Sequence, residues 1–533
     1  MTLILASLIL SAVLTWLMVK IYCPIAEKIG LVDNPDKTRK LHQTAIPLVG
    51  GISFCTAILI SIPTMFWFGQ LWADFFTSCD KSINSILPWK LPSLGIGHIR
   101  DVDVTELVGL AIAGLFLLGV GVLDDWKGIR GRHKLIGQII AATILMLFGY
   151  QFVAVQFAGF YIQFGVFAGI LIYLWVLAAI NSVNLLDGAD GIATTIGIIM
   201  SASLGVMMLF QGAGKDAVVM FSITGALIAF LTFNFPPAKV YLGDAGSMLI
   251  GFLLAAMSIR STFKQSSLFA FMAPVALLAI PFIDTGAAII RRRLTGRSVF
   301  SVDRGHLHHA LLKKGYSPVA SLIWVGLFCT ITAVGGVMAM LQRDSEIAVA
   351  AIGLVILMMA GAKLFGFAEL KLAGRKVYGF GRSMLPGGAN GLHPEDIKES
   401  TYHVQGERDW EACWSTLRDY AAANNFIEMT MDLNAPWLHE AFHAKMQGTE
   451  RVRESNYVWS SSVPLVFQNR IFGKVDFSCS KDSRSHHQII AEILDITNMI
   501  EQSLQEEPQT EDASVVDTKL TSALSDSAET QTN

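Results

Sequence analysis

The chain has 533 residues, of which 53% are hydrophobic and only 16% are charged, against about 25% charged in an ordinary soluble domain. This composition excludes an ordinary soluble protein and indicates membrane insertion. The net charge of −3 divides into +7 over residues 1–368 and −10 over residues 369–533, which predicts a membrane domain followed by a water-exposed tail.

Eleven apolar runs of spanning length follow one another through the first 368 residues. Their approximate bounds are 3–22, 46–68, 106–123, 135–150, 166–180, 191–211, 217–234, 247–261, 269–290, 320–341 and 346–366. The runs at 135–150, 166–180 and 247–261 are short for a span, and Phe152–Gly165 alternates in polarity as a short hairpin does. The pattern predicts an all-α polytopic membrane protein with about eleven transmembrane helices.

Lysine and arginine are shared unevenly between the two sets of loops that alternate along this domain. The loops at 23–45, 124–134, 181–190, 235–246 and 291–319 carry sixteen of these residues, and the opposite loops with their edges carry seven. By the positive-inside rule the basic set is cytoplasmic. With eleven spans, the N-terminus is then outside and the C-terminus is cytoplasmic.

The acidic residues of the membrane domain fall at or beside the predicted cytoplasmic ends of the spans. They are Asp124, Asp125, Asp187, Asp190, Asp244, Asp284 and Asp303. Carboxylates are costly at membrane depth and face a polar interior when they occur there. Interfacial anchoring explains them poorly, because acids have the wrong sign for the anionic inner leaflet. Several separate loops are therefore predicted to form one polar, catalytic face.

The first acidic motif is the Asp124-Asp125 pair at the end of a predicted span. Two adjacent carboxylates share a proton or need a cation beside them. A divalent metal suits them, because Mg²⁺ takes one or two carboxylates and completes its shell with phosphate oxygens and water. The alternative is a set of salt bridges to the basic residues that follow, which are Lys127, Arg130, Arg132 and Lys134. The sequence leaves both explanations open.

The second motif spans residues 181–191 and contains Asn184, Asp187 and Asp190 without any basic residue. A simple turn between two spans needs far fewer polar groups. The glycines of the motif let backbone N–H groups approach a ligand closely. Asp187 and Asp190 are three residues apart, so one helical turn would point both the same way. The segment is therefore a candidate binding loop.

The third motif surrounds Asp244, which lies at a predicted helix N-terminus between two glycines. Backbone N–H groups and the helix dipole stabilise anions at such a position. A plain N-cap is the structural alternative for Asp244. Tyr241, three residues earlier, offers a flat face on which a base can stack.

The fourth motif places three histidines within four residues, and the first of them lies two residues after an arginine. The residues are Arg304, His306, His308 and His309. They form a cationic, proton-donating cluster suited to a diphosphate or a nucleotide. Zinc is the rival ligand, but no cysteine and no HExxH pattern accompanies these histidines.

Four motifs together carry a family resemblance. They are DDWKG at 124–128, NSVNLLDGADG at 181–191, NFPPAKVYLGDAGS at 234–247 and DRGHLHH at 303–309. In this order and on alternate loops, they resemble the polyprenyl-phosphate N-acetylhexosamine-1-phosphate transferases, over about residues 1–340. The spaced HxHH form resembles the GlcNAc-1-phosphate branch more than the phospho-MurNAc-pentapeptide branch, which usually has three consecutive histidines.

The resemblance implies a multi-pass enzyme of the bacterial cytoplasmic (inner) membrane, with its active site and C-terminus cytoplasmic. The implied reaction converts UDP-HexNAc, with GlcNAc the expected sugar, and undecaprenyl phosphate into undecaprenyl-diphospho-HexNAc and UMP. It requires Mg²⁺ or Mn²⁺ and starts the assembly of a cell-surface glycan. Phospho-MurNAc-pentapeptide transfer and a non-catalytic membrane scaffold of the same fold are the alternatives. Nucleic acid is not an expected partner.

The resemblance also assigns roles residue by residue. Asp244 ligates the metal, with Asp187 as a second ligand or a uridine contact. Asp124 and Asp125 position or deprotonate the lipid phosphate. The residues implied to bind the nucleotide sugar and its phosphates are Asn184, Asp187, Asp190, Tyr241, Lys134, Arg304, His306, His308 and His309.

Phosphoryl transfer itself needs alignment and neutralised charge more than covalent chemistry. A metal bridging the diphosphate and cations around the rest supply both. The sequence does not decide between direct attack and a covalent aspartyl intermediate. Direct attack by the lipid phosphate is favoured, because that oxygen is already an anion at neutral pH.

Residues 369–533 have no counterpart in the motifs above. A linker over 369–394, a small cytoplasmic α+β domain over 395–504 and a disordered acidic tail over 505–533 are predicted. Within the domain we expect a helix from Trp410 to Ala422, a hairpin turning at Gln468-Asn469-Arg470 and a helix from His487 to Leu504. The histidines His443, His486 and His487 are expected at the surface. The domain offers a contact for a homodimer or for the next glycosyltransferase, and the sequence does not choose between them.

Overall fold

The structure is a computed structural model of the 533-residue chain. It describes residues 2–34, 45–68, 104–152, 154–157, 160–165, 167–262, 268–294, 305–362, 364, 398–405, 410–424, 426–435, 440–447, 458–467, 470–480, 487–495 and 497. The chain divides into two compact units, Met1–Leu370 and Lys371–Asn533. Each unit is described by itself below. The predicted linker at 369–394 and the predicted tail at 505–533 lie outside the described residues.

The described part of the first unit is built almost entirely from helices. They are α1 (Thr2–Ile29), α2 (Gly50–Trp67), α3 (Val104–Lys127), α4 (Gly131–Leu147), α5 (Phe167–Leu186), α6 (Ile192–Phe210), α7 (Gly214–Asn234), α8 (Gly243–Thr262), α9 (Leu268–Leu277), α10 (Ala279–Leu294), α11 (Leu307–Lys313), α12 (Pro318–Gln342) and α13 (Ser345–Gly361). Two short antiparallel pairs of strands accompany them: β1 (Val32–Asp33) with β2 (Ile46–Pro47), and β3 (Ala154–Phe157) with β4 (Phe160–Gln163). The second pair confirms the hairpin predicted within Phe152–Gly165.

Every one of the eleven predicted spans overlaps a helix of this unit. Within the described ranges, eight helices are long and apolar enough to cross a membrane, and α9 with α10, bent by 65°, would make a ninth. The other two, α4 and α13, have 17 residues each, slightly under the ~20 that a bilayer core requires. A polytopic helical membrane protein is thus established, whereas the count of eleven stays a prediction.

Helix α8 forms the centre of the unit. Within its apolar window 89% of the residues are buried, against 28% for α1 at the periphery. Small residues allow this position, because glycine and alanine let neighbouring backbones approach. A Cβ on Gly51 of α2 would lie 2.4 Å from the backbone nitrogen of Gly246, and one on Gly121 of α3 would lie 2.3 Å from the Cα of Ala245. The first turn of α8 is therefore held between the backbones of α2 and α3.

The described part of the second unit contains a five-stranded antiparallel sheet. Its strands are β5 (Lys398–Gln405), β6 (Glu428–Ala435), β7 (Glu440–Gln447), β8 (Val458–Phe467) and β9 (Arg470–Ser480), in the order β5-β7-β6-β9-β8. One helix, α14 (Trp410–Ala423), precedes β6, and residues 487–495 are also helical. Alternate residues of the central strands, such as Met429, Met431 and Leu433, join Trp414 in one apolar core.

The predicted elements of this unit are found where the described residues allow a comparison. The helix starting at Trp410 is confirmed, and so is the hairpin, in which β8 pairs with β9 across Phe467 and Arg470. The prediction that His443 lies at the surface is wrong, because its residue is 7% exposed. His443 is opposite Asp432 on the neighbouring strand, with 3.7 Å between its Nδ1 and the Asp432 Oδ1. The alternation of residues along a strand does not by itself show that a residue on the polar face of the sheet is buried.

Candidate active site

The Asp124-Asp125 pair and Asp244 meet where the end of α3 faces the start of α8. Asp125 accepts hydrogen bonds from the backbone N–H of Asp244 at 2.7 Å and of Ala245 at 3.1 Å. It therefore caps the N-terminus of α8 from another helix, satisfying N–H groups that have no partner within their own helix. This confirms the prediction that Asp244 lies in the first turn of a helix.

Gly243 makes this junction possible. Its φ of +72° lies in the left-handed region, and a Cβ at this position would lie 2.5 Å from the Asp125 Oδ2. A side chain would meet both a strained backbone and the capping carboxylate. The glycine before Asp244 is thus required by the geometry of the site.

Lys134, in the first turn of α4, lies between two of the carboxylates. Its Nζ forms an ion pair with Asp124 and another, at 2.5 Å, with the Asp244 Oδ2. Asp124 also accepts the backbone N–H of Ile129 at 2.8 Å, which fixes the short connection between α3 and α4. The salt-bridge explanation for the motif therefore applies to Asp124, while Asp125 holds α8.

The segment 181–191 is less of a loop than predicted, since α5 continues to Leu186. Asn184 lies on its last turn and accepts a hydrogen bond from the Ser247 hydroxyl at 3.1 Å. This bond joins α5 to α8 one turn beyond Asp244. Asn181 of the same motif donates to the Gln138 Oε1 of α4 at 2.7 Å, so the polar side chains at the end of α5 have partners on both α4 and α8.

Asp187 follows directly after α5 and is partly buried. Burial, together with the nearby carboxylates of Asp244, Asp125 and Asp190, raises the pKa of Asp187 well above its usual range. The Ser247 hydroxyl acts in the opposite direction but more weakly. Negative charge is therefore in excess at this point of the site.

Asp190 organises the next loop rather than sharing the orientation of Asp187. Its Oδ2 accepts the backbone N–H of Ala238 at 2.9 Å. Asn234, at the end of α7, assists: its Oδ1 accepts from the N–H of Gly191 and the hydroxyl of Thr194, at 3.1 Å and 2.8 Å. These contacts link the start of α6 to the loop at 235–242.

Tyr241 lies in that loop and is half-buried. Its N–H donates to the carbonyl of Pro47 at 2.9 Å, and its carbonyl accepts the N–H of Gly50 at 3.1 Å. Burial and the carboxylates of Asp190 and Asp33 raise the pKa of Tyr241 to about 12. The phenol therefore stays neutral at physiological pH, and stacking on uracil remains a prediction.

The histidine cluster lies at the start of α11. His306 is buried, and its Nδ1 is 2.7 Å from the Oδ2 of Asp284 in α10. Its ring is parallel to that of His308 at 6.1 Å, and His308 contacts His309 at 4.2 Å between ring centroids. Arg304 lies outside the described residues.

His308 links this cluster to the carboxylates. A Cβ on Gly188, the residue after Asp187, would lie 3.2 Å from the His308 Nε2. Both ring nitrogens of His308 are buried without a hydrogen-bond partner among the described residues. Burial and the nearby His309 and His306 lower its pKa well below the usual value, so the ring is neutral. The predicted convergence of four motifs on one site is therefore found for their described residues.

Three residues that position the site are absent from the predicted set of site residues. Asn234 and Ser247 hold loops and helices in register, and Asp284 pairs with His306. Asn234 and Ser247 do occur within the quoted motif at 234–247, but no chemistry singles them out. Asp284 had a sequence signal, since it is an acid inside an apolar run, although its partner was not apparent.

A divalent cation fits the donor set of this site. No group of three His, Cys, Asp or Glu side chains stands ready as metal ligands among the described residues. Mg²⁺ does not need such a cage, because it uses one or two carboxylates with waters and phosphate oxygens. Burial and the neighbouring carboxylates of Asp244, Asp125 and Asp190 raise the pKa of Asp187, so a cation nearby would favour its charged form. Hard oxygen donors in excess are the environment that such a cation prefers.

Comparisons with known proteins agree with this geometry. The family model of glycosyl transferase family 4 matches residues 107–262, which include α3 to α8 and the carboxylates of the site. The undecaprenyl-phosphate alpha-N-acetylglucosaminyl 1-phosphate transferase of Escherichia coli is 30% identical over 322 residues, covering 59% of this chain and 78% of that protein.

Two further relatives come from other bacteria. The decaprenyl-phosphate N-acetylglucosaminephosphotransferase of Mycobacterium tuberculosis is 29% identical over 357 residues, covering 62% of this chain and 81% of the relative. The probable undecaprenyl-phosphate N-acetylglucosaminyl 1-phosphate transferase of Bacillus subtilis is 28% identical over 315 residues, covering 59% and 78%. The four motifs, their convergence at the start of α8 and these similarities lead to one conclusion. The chain is a multi-pass membrane enzyme of glycosyl transferase family 4, the family of the polyprenyl-phosphate N-acetylhexosamine-1-phosphate transferases.

Proposed function

We propose that this protein transfers GlcNAc-1-phosphate from UDP-GlcNAc to undecaprenyl phosphate, which yields undecaprenyl-diphospho-GlcNAc and UMP. The observation that carries the proposal is the meeting of Asp124, Asp125, Lys134 and Asp244 at the N-terminus of α8. The names of the relatives support the sugar and the polyprenyl phosphate acceptor. They favour this reaction over phospho-MurNAc-pentapeptide transfer.

Asp244 and Asp187 would hold Mg²⁺ or Mn²⁺. When bound, the cation neutralises charge on the diphosphate of the donor and polarises its phosphoryl oxygens. The raised pKa of Asp187 and the partly exposed carboxylate of Asp244 support this assignment.

Lys134 and the N-terminus of α8 supply the fixed positive charge of the site. The Lys134 ammonium lies within ion-pair distance of Asp244, so it is held at the point where phosphate charge must be neutralised. The first turn of α8 adds the partial positive charge of a helix N-terminus. Such groups act strongly because they are oriented before the substrate arrives.

The contacts of the aspartate pair favour direct attack by the lipid phosphate. Both oxygens of Asp125 accept backbone N–H groups, and Asp124 is engaged by Lys134 and Ile129. A carboxylate nucleophile would have to give up these bonds before forming a phosphoryl ester. We therefore assign Asp124 and Asp125 to positioning Lys134 and α8 around an acceptor that is already anionic.

The nucleotide part of the donor would bind on the other side of Asp187. Asn184, Asp190 and Tyr241 belong to the connections that surround Asp187, and the histidines approach it through Gly188. His306, His308 and His309, with Arg304, would contact the phosphates or the uridine. The neutral His308, whose ring nitrogens have no hydrogen-bond partner in the described part of the chain, is suited to a hydrogen bond with an uncharged group such as uracil or ribose.

The membrane placement completes the proposal. The loops that carry these residues are the basic ones, so the site and the C-terminus are assigned to the cytoplasmic side of the bacterial inner membrane. The second unit is proposed to contact a second copy of the chain or the next glycosyltransferase. Transfer to the lipid would be the first membrane step of surface-glycan assembly.

The test is UMP release by purified protein with Mg²⁺ and undecaprenyl phosphate. UDP-GlcNAc, UDP-GalNAc and UDP-MurNAc-pentapeptide are compared, each with and without lipid and metal. Release with UDP-GlcNAc that depends on both additions is the expected result. Release with another donor alone would correct the sugar, and silence with all three from folded protein would leave the scaffold alternative.

A further inference from the structure

Asp284 is a carboxylate buried in a helix that the four motifs do not include. It lies near the start of α10, the second half of the bent α9–α10 pair, and none of its surface is exposed. Burying a carboxylate is costly unless hydrogen bonds or an opposite charge compensate it. Its presence at this position therefore requires a specific partner.

Both oxygens of Asp284 bind the start of α11. Oδ2 is 2.7 Å from the Nδ1 of His306, and Oδ1 accepts the backbone N–H of Leu307 at 2.8 Å. His306 is the N-cap residue of α11, but its own side chain does not cap the helix. Asp284 replaces that cap and at the same time holds the imidazole ring.

This contact determines which nitrogen of His306 is left for a ligand. A carboxylate that accepts from Nδ1–H fixes the ring orientation and leaves Nε2 as the nitrogen available to another group. The ring then lies parallel to His308, whose Nε2 faces Gly188 beside Asp187. The orientation of the cluster toward the carboxylates thus depends on a residue of a different helix.

We propose that Asp284 is a positioning residue of the active site, which acts through His306 and directs the Nε2 of that histidine to the phosphates or nucleotide of the donor. The proposal rests on the proposed function for the identity of the donor. It assigns to α10 a part in donor recognition that none of the four motifs contains. Asp284 itself touches no substrate.

A double-mutant cycle tests whether Asp284 acts through His306. The variants are D284N, H306A and D284N/H306A, with T285A as the matched control, because Thr285 is the next residue, is also buried, and its hydroxyl has no hydrogen-bond partner among the described residues. We expect D284N to lower kcat/KM for UDP-GlcNAc by about ten- to a hundredfold, as for other carboxylates that orient a histidine. In H306A the further change D284N should have no additional effect, and T285A should behave as wild type.

Additive losses in the double variant would overturn the proposal, because they would show a role of Asp284 that does not pass through His306. An unchanged D284N or an unchanged H306A would do so equally. Thermal unfolding of each purified variant accompanies the kinetics. If D284N does not fold, H306N replaces it, since the asparagine amide keeps a donor near the Nδ1 position and lacks Nε2.

H306N should retain the stability of the wild type and lose activity to the extent that H306A does. Full activity of H306N would contradict the assignment of Nε2. The wild-type assay separates this inference from the proposed function. If wild type turns over UDP-GlcNAc and D284N is unaffected, only the role of Asp284 is contradicted. If wild type releases no UMP, both the role of Asp284 and the proposed function are contradicted.

Discussion

Two clusters, each with one cation paired with two carboxylates, lie at opposite ends of α3 and α8, and in the described part of the chain only the second has further carboxylates nearby. At the start of α3 and α7 and the end of α8, Arg260 forms ion pairs with Glu106 and Asp216. At the end of α3 and the start of α8, Lys134 forms ion pairs with Asp124 and Asp244. The two clusters are separated by about 16 to 18 residues of helix, or roughly 25 Å.

The Arg260 cluster is matched to the helices that carry it. Glu106 and Asp216 lie in the first turns of their helices, and Arg260 lies in a last turn. Acids at N-termini and bases at C-termini are favoured by the helix dipoles. The ion pairs of Arg260 and the helix dipoles therefore favour the same arrangement of these side chains.

The end that carries the candidate active site has additional carboxylates beyond its ion pairs. Burial and the nearby carboxylates of Asp244, Asp125 and Asp190 raise the pKa of Asp187. The comparison teaches that the same helices carry one cluster that stabilises the fold and another that is left with unbalanced charge. Substitutions at the two ends should therefore have separable effects on stability and on activity.

The largest expected effect is the loss of activity in D244N. Removing this negative charge removes the proposed metal ligand and one partner of Lys134, and UMP release should fall by about a thousandfold or more. The unfolding temperature should not fall, since repulsion among the carboxylates is relieved. UMP release and thermal unfolding of the same preparation measure both quantities.

D216N is the matched control for D244N, because it neutralises an aspartate at the other end of the bundle. Its activity should stay within about twofold of wild type, while its unfolding temperature falls. Full activity of D244N would exclude Asp244 as a metal ligand. Inactivity of D216N would show that the two ends are not independent.

The second largest effect is expected for G243A. The left-handed backbone costs about 1–2 kcal/mol with alanine, and the new Cβ would displace Asp125 from the start of α8. We expect turnover to fall by about a hundredfold.

Gly212, in the α6–α7 connection, has nearly the same φ of +71° but nothing within 4 Å of a Cβ. G212A should therefore share the loss of stability measured by thermal unfolding and keep its turnover. Equal losses of turnover in G243A and G212A would show that backbone strain, and not the contact with Asp125, is responsible.

At the Arg260 cluster the expected effect is on stability. R260M removes the ion pairs of Glu106 and Asp216 with Arg260 and should lower the free energy of unfolding by about 3 kcal/mol, as when one member of a buried ion pair is removed. The triple variant E106Q/D216N/R260M should recover most of this loss. Thermal unfolding in a constant detergent or lipid measures both, and a triple variant less stable than R260M would contradict the argument.

The smallest effect is expected for S247A. Its hydroxyl donates to Asn184 and to the carbonyl of Gly243, and losing the bond to Asn184 costs about 1 kcal/mol. The KM for UDP-GlcNAc should rise by about fivefold with little change in stability. S222A, which loses only a hydrogen bond within its own helix, should leave the KM as in wild type.

The sequence predicts the helices well, because each apolar run must pack against another helix or face the lipid. The boundaries of α5 and α8 were wrong by up to six residues, since Asn184 and Ser247 satisfy each other across the two helices. Hydropathy cannot anticipate such a bond. The polar ends of the helices were therefore assigned to loops.

The membership of the site was also largely predictable, whereas the contacts were not. Acids and histidines within apolar runs are costly to bury in a membrane, and this cost marks them as candidate site residues. Two contacts depend on loop paths and on the bend between α9 and α10: that of Asp190 with Ala238 and that of Asp284 with His306. Pairings across 48 and 22 residues require the tertiary structure.

The backbone contacts of Gly51 and Gly121 with the first turn of α8 have a mechanical consequence. Helices in a bilayer adjust to its thickness by changing their tilt. Three helices that touch backbone to backbone at one end can tilt only about that point. A change in bilayer thickness therefore moves the far ends of α2, α3 and α8, while Asp244 stays at the pivot.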